Sequence, residues 1–247
     1  MKRILWIVLA VGLFFRTGLP SESRWRLDAE SGLAFSGYND IRIPGDSGTR
    51  FSFSRDLKAE PGAFLRLRLG RRVGRRGRIS FLAAPLSLRA AGTIGRPIAF
   101  AGTLFPGGTR FEARYTFNSY RLTYAHRVVE SETWTVDLGL TAKVRDAVIR
   151  LEGAGLTAEK KNVGPVPLIH FAVGWNGHER LGLILEVDAL AAPQGRAEDV
   201  FLGMRFSLTP SLTMKAGYRV LEGGADNEKV FTFALIHYLV AGLVWEF

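Results

Sequence analysis

Apolar residues take every second position in segment after segment of this chain, and the positions between them hold charges or glycine. Trp25, Leu27, Ala29, Leu33 and Phe35 alternate with Arg26, Asp28, Glu30 and Gly32, and Ala63, Leu65, Leu67 and Leu69 alternate with Phe64, Arg66, Arg68 and Gly70. The same pattern returns over 134–142, 181–188, 200–206 and 212–219. Side chains of an extended strand point alternately to its two faces, so each segment predicts a strand with one apolar and one polar face. Such segments give about ten strands, with roughly eight to twelve compatible with the pattern. They fall at 24–38, 61–71, 78–90, 109–127, 133–146, 164–175, 179–190, 198–208, 212–221 and 230–247. The alternation changes phase at Ala84-Pro85 and between Phe117 and Tyr120, which predicts two β-bulges. Connections alternate between short ones and longer ones at about 39–60, 91–108, 151–163, 191–197 and 222–229, the rhythm of a barrel with short turns at one end and long loops at the other.

A soluble sandwich would bury the apolar faces, and its exposed faces would rarely hold so much glycine. A membrane barrel puts the apolar residues on lipid and the charges inside. The last strand carries the most specific mark. Leu239, Ala241, Leu243, Trp245 and Phe247 share one face that runs to the chain end. In this segment the chain resembles bacterial outer-membrane β-barrel proteins, whose last strand typically ends in an aromatic residue, usually Phe. That resemblance implies a closed antiparallel up-and-down transmembrane barrel in the outer membrane. It also implies that Trp245 and Phe247 serve as the signal read by the barrel-assembly machinery, with membrane lipid and lipopolysaccharide as surroundings.

Met1-Lys-Arg3 followed by apolar residues 4–15 has the form of a signal peptide, so we expect 1–23 to be a leader and 24–247 to be one barrel domain. No later run is long and apolar enough for a membrane helix. The absence of cysteine excludes a lipoprotein and a disulfide-stapled domain. A 47% hydrophobic content with 28 Gly and 17 Phe suits amphipathic strands joined by tight turns. The formal net charge is +10, and about +8 remains without the leader. For an exported chain this points to anionic lipid or lipopolysaccharide rather than nucleic acid. Arg71-Arg-Val-Gly-Arg-Arg-Gly-Arg78 is the densest basic run and falls at a short turn, where it is solvated or touches head groups.

Candidate chemistry is concentrated on the polar faces. Arg66, Arg68, Lys143, Arg205, Lys215 and Arg219 are set against Glu186 and Asp188 as a lumen charge network, with Arg26, Arg114, Arg121, Asp28, Glu30, Glu112, Asp137, Asp199 and Glu246 as further inward charges. Glu186 and Asp188 lie about 6–7 Å apart on one strand face, a spacing a general acid and base can use. No histidine has an evident Asp or Ser partner in the sequence. Gly45-Asp-Ser-Gly48 matches a serine-protease tetrapeptide, but Thr49 follows it and no histidine precedes it. Asp40, Arg42, Asp46 and Arg50 sit in the long first connection, whose Ile41 and Ile43 suggest that it folds over the mouth and carries recognition. No catalytic residue, metal site or cofactor is implied. The expectation is a structural or ligand-binding surface barrel; a narrow pore or a transporter of amphiphiles is second, and a lipid-modifying or proteolytic barrel enzyme third.

Overall fold

The computed structural model describes residues 25–193 and 195–247, so the expected leader lies outside the described residues. Fifteen strand segments follow one another: β1 Trp25–Arg42, β2 Phe51–Ser52, β3 Lys58–Ala59, β4 Gly62–Val73, β5 Gly77–Ala84, β6 Ser87–Ile94, β7 Ile98–Phe100, β8 Thr103–Phe105, β9 Thr109–Glu130, β10 Trp134–Gly153, β11 Leu156–Asn176, β12 Leu181–Ala192, β13 Gly195–Ser207, β14 Leu212–Asn227 and β15 Val230–Glu246. Every pairing is antiparallel. The ring runs β1, β4, β5 with β6, β9, β10, β11, β12, β13, β14 and β15, and returns to β1. β5 and β6 pair with β9 in one unbroken register, from Gly77↔His126 to Ile94↔Thr109, so they are one stave interrupted at Pro85. The ring therefore has the ten staves that the alternation predicts. Trp25 and Phe247 exchange backbone hydrogen bonds of 2.9 and 3.0 Å, so both described ends lie on one rim.

Outward residues of the lower half form a continuous apolar band, including Leu65, Leu67, Phe81, Leu122, Leu140, Ile169, Leu202 and Leu239. Trp25, Trp134, Trp175, Trp245 and Phe247 ring its lower edge, where Trp245 stacks on Phe247 at 4.4 Å and Arg71 caps Trp25 at 5.3 Å. On β10 the band spans Trp134 to Val144; at about 3.3 Å per residue and a 35–45° tilt that is about 25 Å, the height of a membrane hydrocarbon face.

The two predicted bulges are corrected. Neither Ala84-Pro85 nor Phe117–Tyr120 shifts the register. What changes there is which face is apolar. On β9, Tyr120, Leu122 and Tyr124 face outward beside inward Ser119, Arg121 and Thr123 in the lower half. Higher up, Phe111, Ala113, Tyr115 and Phe117 face inward while Arg110, Glu112 and Arg114 face water. Glu112 and Arg114, expected inside, are thus exposed on the outer wall. The strands continue above the lipid, where the interior becomes the dry side and the exterior the wet one. The true register shifts lie at Ser36/Tyr38 in β1 and Val136/Asp137 in β10.

Three connections expected to be long are likewise strand. β10 and β11 run to a two-residue turn, Ala154-Gly155, with φ of 50° and 75°, the left-handed pair that a tight hairpin requires. The β12–β13 and β14–β15 hairpins close nearly as tightly, at Ala192↔Gly195 and Asn227↔Val230. Only 39–60 and 91–108 contain real excursions. β2 extends the wall on β1 and β3 does so on β6, while β7 and β8 form a hairpin of their own.

Candidate functional site

The lumen holds two contrasting layers. At membrane height it is filled by a charge plug. Asp199 on β13 accepts from Arg219 at 2.5 Å, Arg121 at 2.5 Å and Arg66 at 3.1 Å. Glu30 on β1 meets Lys215 at 2.6 Å, Arg219 at 2.8 Å and Arg66 at 3.1 Å. Asp28 takes Lys215 at 2.7 Å, and Asp188 takes Arg121 at 2.8 Å and the Thr141 hydroxyl at 3.0 Å. Arg68 and Arg219 both approach Glu186, at 3.4 and 3.8 Å. Opposite charges balance within the cluster, and Glu30, Asp199, Arg66, Arg121 and Arg219 each meet at least two partners of opposite charge, which is what makes burial of charge tolerable. The phenyl ring of Phe201 lies against both Lys215 and Arg219. It fits because Gly203 and Gly217 face the lumen beside it; a Cβ at Gly203 would stand 2.5 Å from Cζ of the ring. Arg121 is 1% exposed and Arg219 and Asp199 are 2% exposed, so at this level the lumen is packed shut.

Sequence reasoning placed Arg66, Arg68, Glu186, Asp188, Lys215 and Arg219 in this network, and the structure brings them together. Two expected members do not join it. Arg205 faces the lumen below the plug and bonds to Asn176. Lys143 faces upward, with Nζ 4.9 Å from the Phe117 ring centre and no carboxylate within ion-pair distance among the described residues. Its strand leaves the lipid zone within two residues, which places its head at the floor of the upper chamber. The Glu186–Asp188 spacing for acid–base work is also corrected, because both carboxylates are engaged by arginines. His170 does have a partner that the sequence hid: its Nδ1 lies 2.8 Å from Asp188, across the β11–β12 ladder.

Above the plug the lumen opens into a chamber of about 560 Å³, within the size range of small-molecule sites. Its walls are mostly apolar, with Tyr115, Phe117, Ile149, Leu190, Leu221 and Ile236 among them. Five cations line it, Lys143, Arg145, Lys160, Arg196 and Lys229, together with Glu222, whose carboxylate Arg196 engages at 2.8 Å. The Lys160 ammonium has no hydrogen-bond or ion-pair partner among the described residues, although its backbone belongs to the β10–β11 ladder. Among the described residues the Arg145 side chain donates only to Asn162, at 2.6 Å, and its Nε is buried without a partner. Nothing in the sequence marks these cations as a group, because Arg145 and Lys160 lie where the lipid-facing alternation has already stopped.

The first connection forms the opposite half of this upper layer. Ile41, Ile43, Phe51, Phe53 and Leu57 are buried with Leu88, Phe100, Phe105, Phe111 and Leu151 in an apolar core inside the raised wall. Its charged residues face one another. Asp40 takes Arg50 at 2.8 Å and Arg55 at 2.5 Å, and Arg42 and Arg50 both lie over the Phe231 ring. Asp46 accepts from Ser47, and its backbone N–H donates to Glu228. Burial raises the Asp40 carboxyl, but hydrogen bonds from Ser52, Arg50 and Arg55 outweigh it and hold the group below its ordinary range. Glu222 behaves alike: burial raises it, and bonds from Arg196 and Tyr38 bring it lower. Asp40, Arg42 and Arg50 therefore clamp the loop to the rim. Arg66 and Arg68 lie below the loop and are held in the plug.

A closed antiparallel ring with an apolar outer band and a charge-filled lumen defines the outer-membrane β-barrel class. No protein-family model and no curated protein matches the chain. Among solved structures it is similar to the outer membrane protease OmpT from Escherichia coli, at 12% identity and a TM-score of 0.54, over 91% of this chain and 97% of that one. It also matches the translocator domain of the autotransporter NalP from Neisseria meningitidis, at 11% identity and a TM-score of 0.41, over 98% and 93%. The attachment invasion locus protein Ail of Yersinia pestis matches at 10% identity and a TM-score of 0.39, over 90% and 99%. At these identities the first likeness shows the fold alone, and the fold is the outer-membrane barrel.

Proposed function

We propose that this protein resides in the outer membrane as a closed barrel that binds a small acidic ligand in its upper chamber and does not conduct. The observation that carries this reading is the pairing of a shut lumen with a chamber in which Lys143 and Arg145 have no carboxylate partner among the described residues, while Arg196 is paired with Glu222. Taking an ammonium out of water without a carboxylate is costly, so Lys143 and Arg145 form a prepared seat for a bound anion. The mostly apolar walls supply the remaining contact, in the usual proportion of a small-molecule site. Surface ligand binding thus takes place inside the raised wall, and the first connection shapes the chamber instead of presenting free charges.

Titration of the purified protein in lipid nanodiscs with dansylaminoundecanoate, followed by dansyl fluorescence, tests this directly. Saturable binding is expected, with K143Q/R145Q weakening it about tenfold or more, the loss of one to two charge-assisted hydrogen bonds. The matching dansyl alcohol should bind more weakly than the acid. Equal binding of acid and alcohol, or no binding at all, would remove the basis of the reading.

A further inference from the structure

The wall of the chamber is incomplete between β11 and β12. Their ladder runs from Asn176↔Gly182 to Ile169↔Ala189 and stops, although β12 continues to Ala192 and β11 to Leu156. Beyond Ile169, β11 keeps β10 as its partner all the way to the turn. The sequence explains the break. The Asn176 N–H donates to Thr133, on the β10 side. Backbone groups of an antiparallel strand turn alternately to its two neighbours, so residues of even number face β10 and those of odd number face β12. Pro165 and Pro167 therefore remove donors only from the β12 edge and cost the β10 ladder nothing.

The notch stands at the upper edge of the lipid-facing band, where Val144 pairs with Pro165 and where the exposed Glu198 and Arg196 of β13 pair with Ala189 and Ala191. Its outer flanks are Ile169 and Val163 on β11, 56% and 67% exposed, and Ala189 and Ala191 on β12. Water-facing charges on β11 begin only above it, at Lys161 and Glu159. Unpaired backbone is tolerated at membrane depth where it borders a cavity, and both prolines line the chamber. Lys143 pairs in register with Val166, so its ammonium lies at the height of the notch, 3% exposed.

We infer that the acidic ligand is a single-chain amphiphile of the fatty-acid type that enters sideways from the outer leaflet through the β11–β12 notch. Its carboxylate is held by Lys143 and Arg145 while its chain lies along Leu221, Ala234 and Ile236. This inference rests on the ligand-binding reading above and adds the source and the route. A water-borne acid would have no use for a side opening at lipid height. A lipid-dissolved acid needs one, because crossing the rim would expose its chain to water at about 0.8 kcal/mol per CH₂ group.

The chain contains no cysteine, so a lock can be installed cleanly. In P167C/A191C the two residues would be partners if the ladder continued, and oxidation zips the notch. A192W blocks it from the inner side without relying on bond formation. Each variant is reconstituted as the full chain in phosphatidylcholine vesicles; dansylaminoundecanoate is delivered already dissolved in the bilayer, and a second probe, water-soluble dansylglycine, is delivered from the aqueous phase. The lipid-delivered probe should load about tenfold or more slowly in oxidised P167C/A191C and in A192W. Reduction should restore the rate of the former, and its final occupancy should be unchanged. Loading of dansylglycine should not respond to the lock. Unchanged loading of the lipid-delivered probe in both variants overturns the route while leaving the site intact. Failure of the unmodified protein to bind either acid overturns the ligand-binding reading itself.

Discussion

Asp199 is the point at which the plug is most vulnerable. Three guanidinium groups converge on this one carboxylate, which is 2% exposed. The substitution Asp199→Asn keeps the shape and removes the charge, leaving Arg66, Arg121 and Arg219 with one fewer counter-ion. Glu30 and Asp188 still hold these arginines, so the loss should resemble the breaking of one buried ion pair rather than three, about 3–5 kcal/mol. Urea unfolding in detergent, followed by tryptophan fluorescence, measures it, with Trp25, Trp134, Trp175 and Trp245 reporting on the ring. A second change, Arg66→Met, removes a surplus positive charge and should return part of the loss in D199N/R66M, because the double variant restores charge balance. A D199N variant destabilised by less than about 1 kcal/mol, with no recovery in the double variant, would refute the claim that the plug is a tightly coupled network.

Deletion of Phe247, or Phe247→Asp, should lower the folded, heat-modifiable fraction on gels, since Phe247 closes the β15–β1 seam and stacks on Trp245; unaltered folded yield would contradict this. The clamp on the first connection should follow the lowered Asp40 and Glu222 groups: its stabilisation is fully present above the ordinary carboxylate range, about pH 4, and is lost as pH falls through the lower folded-state values. Hydrogen exchange of residues 39–60 should thus be slow and constant from neutral pH to about pH 5 after correction for intrinsic rates, and accelerate only in stronger acid. An epitope inserted between Ala101 and Gly102, where a Cβ on Gly102 would meet nothing within 4 Å, should be tolerated and reached by antibody on intact cells; insertion after Gly48, packed on the Ile43 backbone, should disturb the loop.

The sequence made the ten staves legible because lipid selects a strict two-residue alternation, and the pattern of Leu65, Leu67 and Leu69 against Arg66, Arg68 and Gly70 has few other solutions. It failed where the solvent changed. On β9 and on the β5–β6 stave the strand keeps its geometry while water replaces lipid outside, so an inversion of polarity looked like a bulge. The same effect hid the upper halves of β10 and β11, which looked like a loop. Asp199, Asp28, Glu30 and Arg121 could be read as inward from parity alone, but which cation meets which carboxylate depends on strand tilt and stagger around the ring. The isolation of Lys143 was invisible for that reason. The notch did leave a trace, two prolines of one parity in β11, but only the observed bond of Asn176 to Thr133 tells which neighbour loses the donors.

The central claim is that the plug shuts the lumen and makes this barrel a binding protein rather than a pore. Single-channel recording of the purified protein in planar bilayers tests it most directly. The account predicts no steady conductance steps for the unmodified chain and the appearance of open events in D199N, whose plug has lost the anion shared by three arginines. Stable, uniform conductance steps from the unmodified protein would contradict it.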